Sequence, residues 1–145
     1  MNIIFLLALL VTTNIFASSS SHCHLVEGIY RNSLNPISNI QFETVVDVFT
    51  ISNANQLSMN LDGSDLTFLR SSITIKKQVK MIYLLRKNGR AIRAAHIMID
   101  RTPKEVLADR EFYGNMIISE EVGAESNINS LLTGKNLIYN FYCQF

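Results

Sequence analysis

Residues 79–99 read VKMIYLLRKNGRAIRAAHIMI, and this stretch decides the fold. At its centre Lys87-Asn88-Gly89-Arg90 sets an Asn-Gly pair between two runs rich in apolar residues. Asn and Gly tolerate the positive φ angles of a two-residue type I′ turn, whose twist matches that of paired strands. A β-hairpin is therefore predicted. The simplest register pairs Leu85 with Ile92, Tyr83 with Ala94, Met81 with His96 and Val79 with Met98. One hairpin face is then apolar except for His96. The next rung outward sets Lys77 opposite Asp100, a favourable cross-strand charge pair.

The same logic extends along the chain. Asp62-Gly63 centres a second hairpin, pairing Met59 with Leu66 and Leu57 with Phe68. Phe42, Val46 and Val48 share the even positions of a run from Ile40 to Ile51. Val26, Gly28 and Tyr30 alternate in one early segment, and Leu137, Tyr139, Phe141, Cys143 and Phe145 in the last. A short strand is expected from Phe112 to Ile118. About seven strands result, joined mostly by tight turns. Two helical interruptions are predicted late in the chain. Thr102-Pro103 reads as an N-cap with proline at the first helical position, opening residues 103–111. Residues 124–133 end at Gly134, a suitable C′ residue.

The chain has 145 residues, 48% hydrophobic and 17% charged, with formal net charge +1. That length holds one domain, and the composition excludes disordered, collagen-like and coiled-coil classes. Ile3 to Val11 is an unbroken apolar run that would rise only about 13 Å as a helix, too short to span a bilayer. Together with the small residues Ala17 and Ser18, it reads as a signal peptide over 1–17, with cleavage after 17 or 19. A flexible polar N-terminus over 18–24 and a single β domain over 25–145 follow. No other apolar stretch approaches spanning length, so a soluble monomer is expected, secreted or periplasmic and not membrane-spanning. The 14 asparagines form no Asn-x-Ser/Thr sequon, which fits a bacterial exported protein.

Cys23 stands near the mature N-terminus and Cys143 third from the end. An even cysteine count in an oxidising compartment makes one disulfide the expectation, with free thiols or an intermolecular bridge as rivals. Such a bond would bring the first and last segments together. Consecutive antiparallel strands with tied ends fit a closed meander, since closure removes exposed edges. The expected fold is thus all-β with minor helices: a small antiparallel up-and-down β-barrel of lipocalin-like type, closed by an N-to-C-terminal disulfide. A two-sheet β-sandwich is the alternative. Gly28-Ile29-Tyr30 is similar to the Gly-x-Trp opening of lipocalins, with tyrosine at the tryptophan position.

Several residues could carry function. In the register above, His96 is the one polar group among Tyr83, Met81 and Met98. Those four are the candidate lining of a ligand cavity, His96 being the polar anchor; the plainer reading is a core histidine satisfied by a hydrogen bond. His22 and His24 flank Cys23 as candidate metal ligands, and cleavage after Ser19 would leave a Ser-Ser-His terminus able to chelate copper. No cofactor is implied.

Charge is segregated. From Arg70 to Lys104 ten basic residues face one acid, and from Glu105 to Glu125 six acids face one base. Lys76, Lys80, Arg86, Arg93 and Arg101 fall on the outer face of the hairpin. They are either an ordinary solvated surface or a docking surface for an acidic protein, a glycan or an anionic membrane. Export and the lack of any nucleic-acid motif argue against DNA or RNA. No nucleophile elbow, Walker loop or metalloprotease motif occurs. The readings in order are an exported barrel holding a small apolar or amphipathic ligand, an interaction module of inhibitor or adhesion type using the basic hairpin, and an enzyme centred on His96.

Overall fold

A computed structural model describes residues 19–29, 37–120 and 136–145. Eight antiparallel strands form a closed barrel in sequential order. They are β1 (Ser19–Ile29), β2 (Ser38–Thr44), β3 (Gln56–Leu61), β4 (Ser64–Ile75), β5 (Val79–Lys87), β6 (Arg90–Ile99), β7 (Glu111–Glu120) and β8 (Asn136–Gln144). One helix, α1 (Pro103–Asp109), links β6 to β7. Closure is made by β8 pairing with β1, where Cys23 and Cys143 stand opposite each other and are disulfide-bonded. The barrel, rather than the sandwich, follows from that last pairing.

Both predicted turns are present. Asp62 and Gly63 have φ of 53° and 76°, and Asn88 and Gly89 have 53° and 78°, the two left-handed positions of a type I′ turn. The β3–β4 register is the expected one, with Met59 opposite Leu66 and Leu57 opposite Phe68.

The β5–β6 register is not. Leu85 faces Arg93 while Arg86 faces Ala91, so Ile92 is an extra residue on β6. This bulge shifts the rest of β6 by one position. Tyr83 lies opposite Ala95, Met81 opposite Ile97 and Val79 opposite Ile99. A one-residue slip sends every side chain to the other face. Ala95, Ile97 and Ile99 are therefore buried, while Met98 is 36% exposed. The physical reason is burial: the slip puts aliphatic side chains in the core and keeps an imidazole out of it. The expected Lys77–Asp100 rung is also replaced, Asp100 Oδ1 accepting from Gln78 Nε2 at 3.3 Å.

β1 starts at Ser19 rather than after the polar lead-in, with Ser21 and Cys23 inward and His22 and His24 outward. Small polar residues hide that alternation. The strand expected over Ile40–Ile51 stops at Thr44. Beyond it Val46 and Val48 are exposed, while Phe49, Ile51 and Ala54 fold in and plug one end of the barrel. This plug is held from a distance: Arg70 donates to the carbonyls of Ser52 (2.8 Å) and Ala54 (2.9 Å), and Tyr83 Oη donates to the Ala54 carbonyl (2.8 Å).

Helix α1 begins as predicted. Thr102 Oγ1 accepts from the Glu105 amide, and Glu105 Oε2 accepts from the Thr102 amide, a reciprocal capping box. The hydrogen bonds from Thr102 hold the Glu105 carboxyl below the usual range. Arg110, left-handed at φ 57°, ends the helix. The predicted helix over 124–133, the signal peptide over 1–17 and Tyr30 lie outside the described residues.

The interior is a packed aromatic core. The Phe42 ring lies 5.9 Å from that of Tyr83 on β5, 5.9 Å from that of Phe112 on β7 and 5.8 Å from that of Phe141 on β8. One β2 side chain thus bridges the lumen to three other strands. All four rings are fully buried, as are Phe68 and Tyr139.

Candidate functional site

The four residues expected to line a cavity do not share a surface. Met81 and Tyr83 point into the filled lumen, and Tyr83 is held by the bond to Ala54. Burial pushes its phenol well above the ordinary tyrosine range. His96 and Met98 are on the outside. On its rung His96 stands between Ile82 of β5 and Ile117 of β7, both half-buried. Its Nε2 is buried without a hydrogen-bond partner among the described residues, and desolvation lowers the pKa of the imidazole. Leu84, Ala91 and Ala94 form a small second apolar cluster on β5 and β6, with Ile82 packed against it.

The basic set is spread along the hairpin rather than gathered. Lys76 and Lys80 are exposed near the β4–β5 bend and Arg86 is exposed beside the Asn88-Gly89 turn. At about 3.3 Å per residue, Lys80 and Arg86 stand roughly 20 Å apart. Between them lie Ile82 and Leu84. Arg101 is ion-paired with Asp109, and Arg93 departs from the expected outer face: the slip sets it opposite Leu85, which packs on the core, and it is half-buried with contacts of its own.

His22 and His24 lie two apart on β1 and so share its outer face, both exposed. Gln41 on β2 bonds His22 Nδ1 at 3.0 Å. Between the two histidines Cys23 turns inward to its disulfide. Among the described residues no group of three potential metal ligands occurs. Ser21 pairs with Phe42 and His22 with Gln41 within the sheet. The backbone amides that an amino-terminal copper chelate would use are therefore part of the barrel.

Two surface depressions bring together side chains that sequence spacing did not join, Met98 of the expected cavity lining among them. One, of about 470 Å³ at the plugged end, is walled by Phe49, Leu107, Arg110 and Phe145. Arg110 Nε donates to the Phe145 carbonyl (3.0 Å) and its guanidinium lies over that ring, so this cation latches β8 to the end of α1. The other, of about 350 Å³, lies across β6, β7 and β8, where Asp100, Tyr113, Asn115 and Asn140 converge. On one rung Asn115 stands between Met98 and Asn140. On the next, Tyr113 faces Tyr142, ring centroids 4.7 Å apart. Tyr142 Oη donates to Glu111 Oε2, which raises the pKa of the phenol, and accepts from Gln144 Nε2. These residues come from different strands with no motif joining them, so no spacing rule could have found them.

The fold and surfaces define a small disulfide-closed β-barrel, an architecture consistent with a binding protein. No protein-family model, no curated protein and no solved structure matches the chain. No helix among the described residues is long and apolar enough to cross a membrane. With the disulfide, that is compatible with an extracytoplasmic protein.

Proposed function

We propose that this chain is an exported recognition module that binds an acidic protein partner on the outside of the barrel. The observation that carries this reading is the Phe42 ring, which packs against β5, β7 and β8 and leaves the lumen to side chains. Lipocalin-type carriers keep the centre of an eight-stranded barrel for a ligand. Here the strand number and meander order agree with that type, and the filling of the lumen departs from it.

The docking surface proposed is the basic outer face of β5 and the bend before it, with Lys76 and Lys80 at one end, Arg86 at the other and apolar Ile82 between. A partner spanning it would bring two acidic clusters about 20 Å apart, with apolar contact in the middle. A polyglutamate peptide serves as the probe. The protein should bind it at low salt and release it as salt screens the charges. Combined Lys76→Glu, Lys80→Glu and Arg86→Glu substitution should abolish binding. Undiminished binding by that variant would remove the reading. Native mass spectrometry of the gently purified protein should find no small molecule inside the barrel.

Export rests on the apolar run Ile3–Val11 and the disulfide. Of the two cleavage positions, the one after Ala17 keeps β1 whole. Ser19 pairs with Thr44, and its hydroxyl donates to the Val46 carbonyl at 2.9 Å. A cut after Ser19 would remove that rung. Amino-terminal sequencing of the exported protein should therefore begin at Ser18.

A further inference from the structure

We propose that the depression across β6, β7 and β8 is a sugar site, taking one neutral pyranose unit against the ring of Tyr113. Tyr113 is 61% exposed on the outer face of β7. An aromatic ring carries negative charge on its faces, which suits the weakly positive C–H groups on one face of a pyranose. The hydroxyl rim of the same sugar needs partners that can accept and donate. Asn115 and Asn140 each offer both, and the Asp100 carboxylate accepts. A ring beside a carboxylate and two carboxamides is thus complementary to a ligand that is apolar on one face and polyhydroxylated at its edge.

The fold builds this arrangement rather than merely exposing it. Tyr113 packs on Tyr142, whose hydroxyl is fixed between Glu111 and Gln144, so the platform ring is braced before a ligand arrives. Preorganisation of that kind lowers the entropy lost on binding. Asp100 is held at the rim by Gln78. A bulge in β1 makes Val26 an extra residue between Leu25, opposite Phe141, and Glu27, opposite Asn140, and Val26 joins the lining on the far side.

Charge and size select the class. No Lys or Arg lines the depression, and β7, β8 and β1 contain none. An acidic sugar would meet the Asp100 carboxylate with no cation to offset it. About 350 Å³ lies at the small end of ligand sites, which run from about 300 to 1,000 Å³. That leaves room for a single saccharide unit rather than a length of peptide. The ligand is accordingly a neutral monosaccharide or the end unit of a glycan, bound independently of the basic face.

Saturation-transfer NMR tests this with methyl glucoside, methyl galactoside, methyl mannoside and N-acetylglucosamine as probes. At least one should receive saturation on the C–H protons of a single ring face. Tyr113→Ala should weaken that probe's binding at least tenfold, while Tyr113→Phe should retain it because the ring remains. Asn140→Ala should also weaken it, and added salt should leave it unchanged, which separates it from polyglutamate binding. Tyr113 is largely exposed, so its variants should keep the wild-type circular dichroism and disulfide. Absence of transfer to all four probes, or transfer that persists in Tyr113→Ala, would overturn the assignment.

Discussion

The ring of Phe141 on β8 lies against Gly114, its direct partner on β7, and fills the space that a Cβ at residue 114 would need. The two form a large–small pair inside the barrel, and Phe141 also packs edge-on against Phe112 and meets Phe42. Gly114→Ala should therefore overpack a closed core and cost about 1–3 kcal/mol. Chemical denaturation measures this, and adding Phe141→Leu should recover part of the loss. Unaltered stability in the single variant would show that the ring gives way freely.

Phe42 reaches across the lumen to rings on β5, β7 and β8. Phe42→Ala should destabilise by about 3–5 kcal/mol through lost burial and the cavity left behind. Such an apolar void should admit a small aromatic probe such as benzene, detectable by NMR line shifts, that the native protein excludes. Equal benzene uptake by both proteins would mean that the native lumen is already open.

The Cys23–Cys143 bond closes a loop with a sequence separation of 120 residues. In the chain-entropy account, a loop of that size contributes about 5 kcal/mol by restricting the unfolded chain. The Cys23→Ser, Cys143→Ser double variant should lose most of that in urea unfolding, and reduction of the native protein should match it. Since the β1–β8 ladder also closes the barrel, the folded variant should retain the native strand content by circular dichroism.

His96 gives the protein an acid-side weakness. Desolvation holds its folded pKa below the ordinary histidine value of about 6.5. Above that value the imidazole is neutral in both states and contributes no pH dependence. As the pH falls below it, the unfolded chain takes up the proton first, so stability declines. His96→Gln should flatten this part of the curve, measured as the difference in unfolding free energy between pH near 7 and pH near 5. An identical slope in the variant would assign the dependence to another group.

Much of the fold was legible because strand turns are local chemistry. Asn88-Gly89 and Asp62-Gly63 specify their hairpins through the φ angles that only such residues adopt readily, and Thr102, Pro103 and Glu105 specify a helix start in the same way. The two cysteines, at opposite ends of the chain, pointed to closure. Legibility failed where two alternations were equally apolar. On β6, Ala91-Arg93-Ala95-Ile97-Ile99 and Ile92-Ala94-His96-Met98 both read as candidate core faces. The bulge at Ile92 chose between them, and with them went the expected cavity lining.

Local propensity thus determined the hairpins, the helix cap and the β class from the sequence alone. Tertiary structure decided which face of each strand turned inward, because that depends on burial against strands far away in the chain. It also decided that Phe42 fills the lumen and that Phe49, Ile51 and Ala54 fold in to close one end of the barrel instead of prolonging β2. The gathering of Asp100, Tyr113, Asn115 and Asn140 has the same origin. Those side chains meet only where three strands are in register, and register is a property of the closed sheet rather than of any one segment.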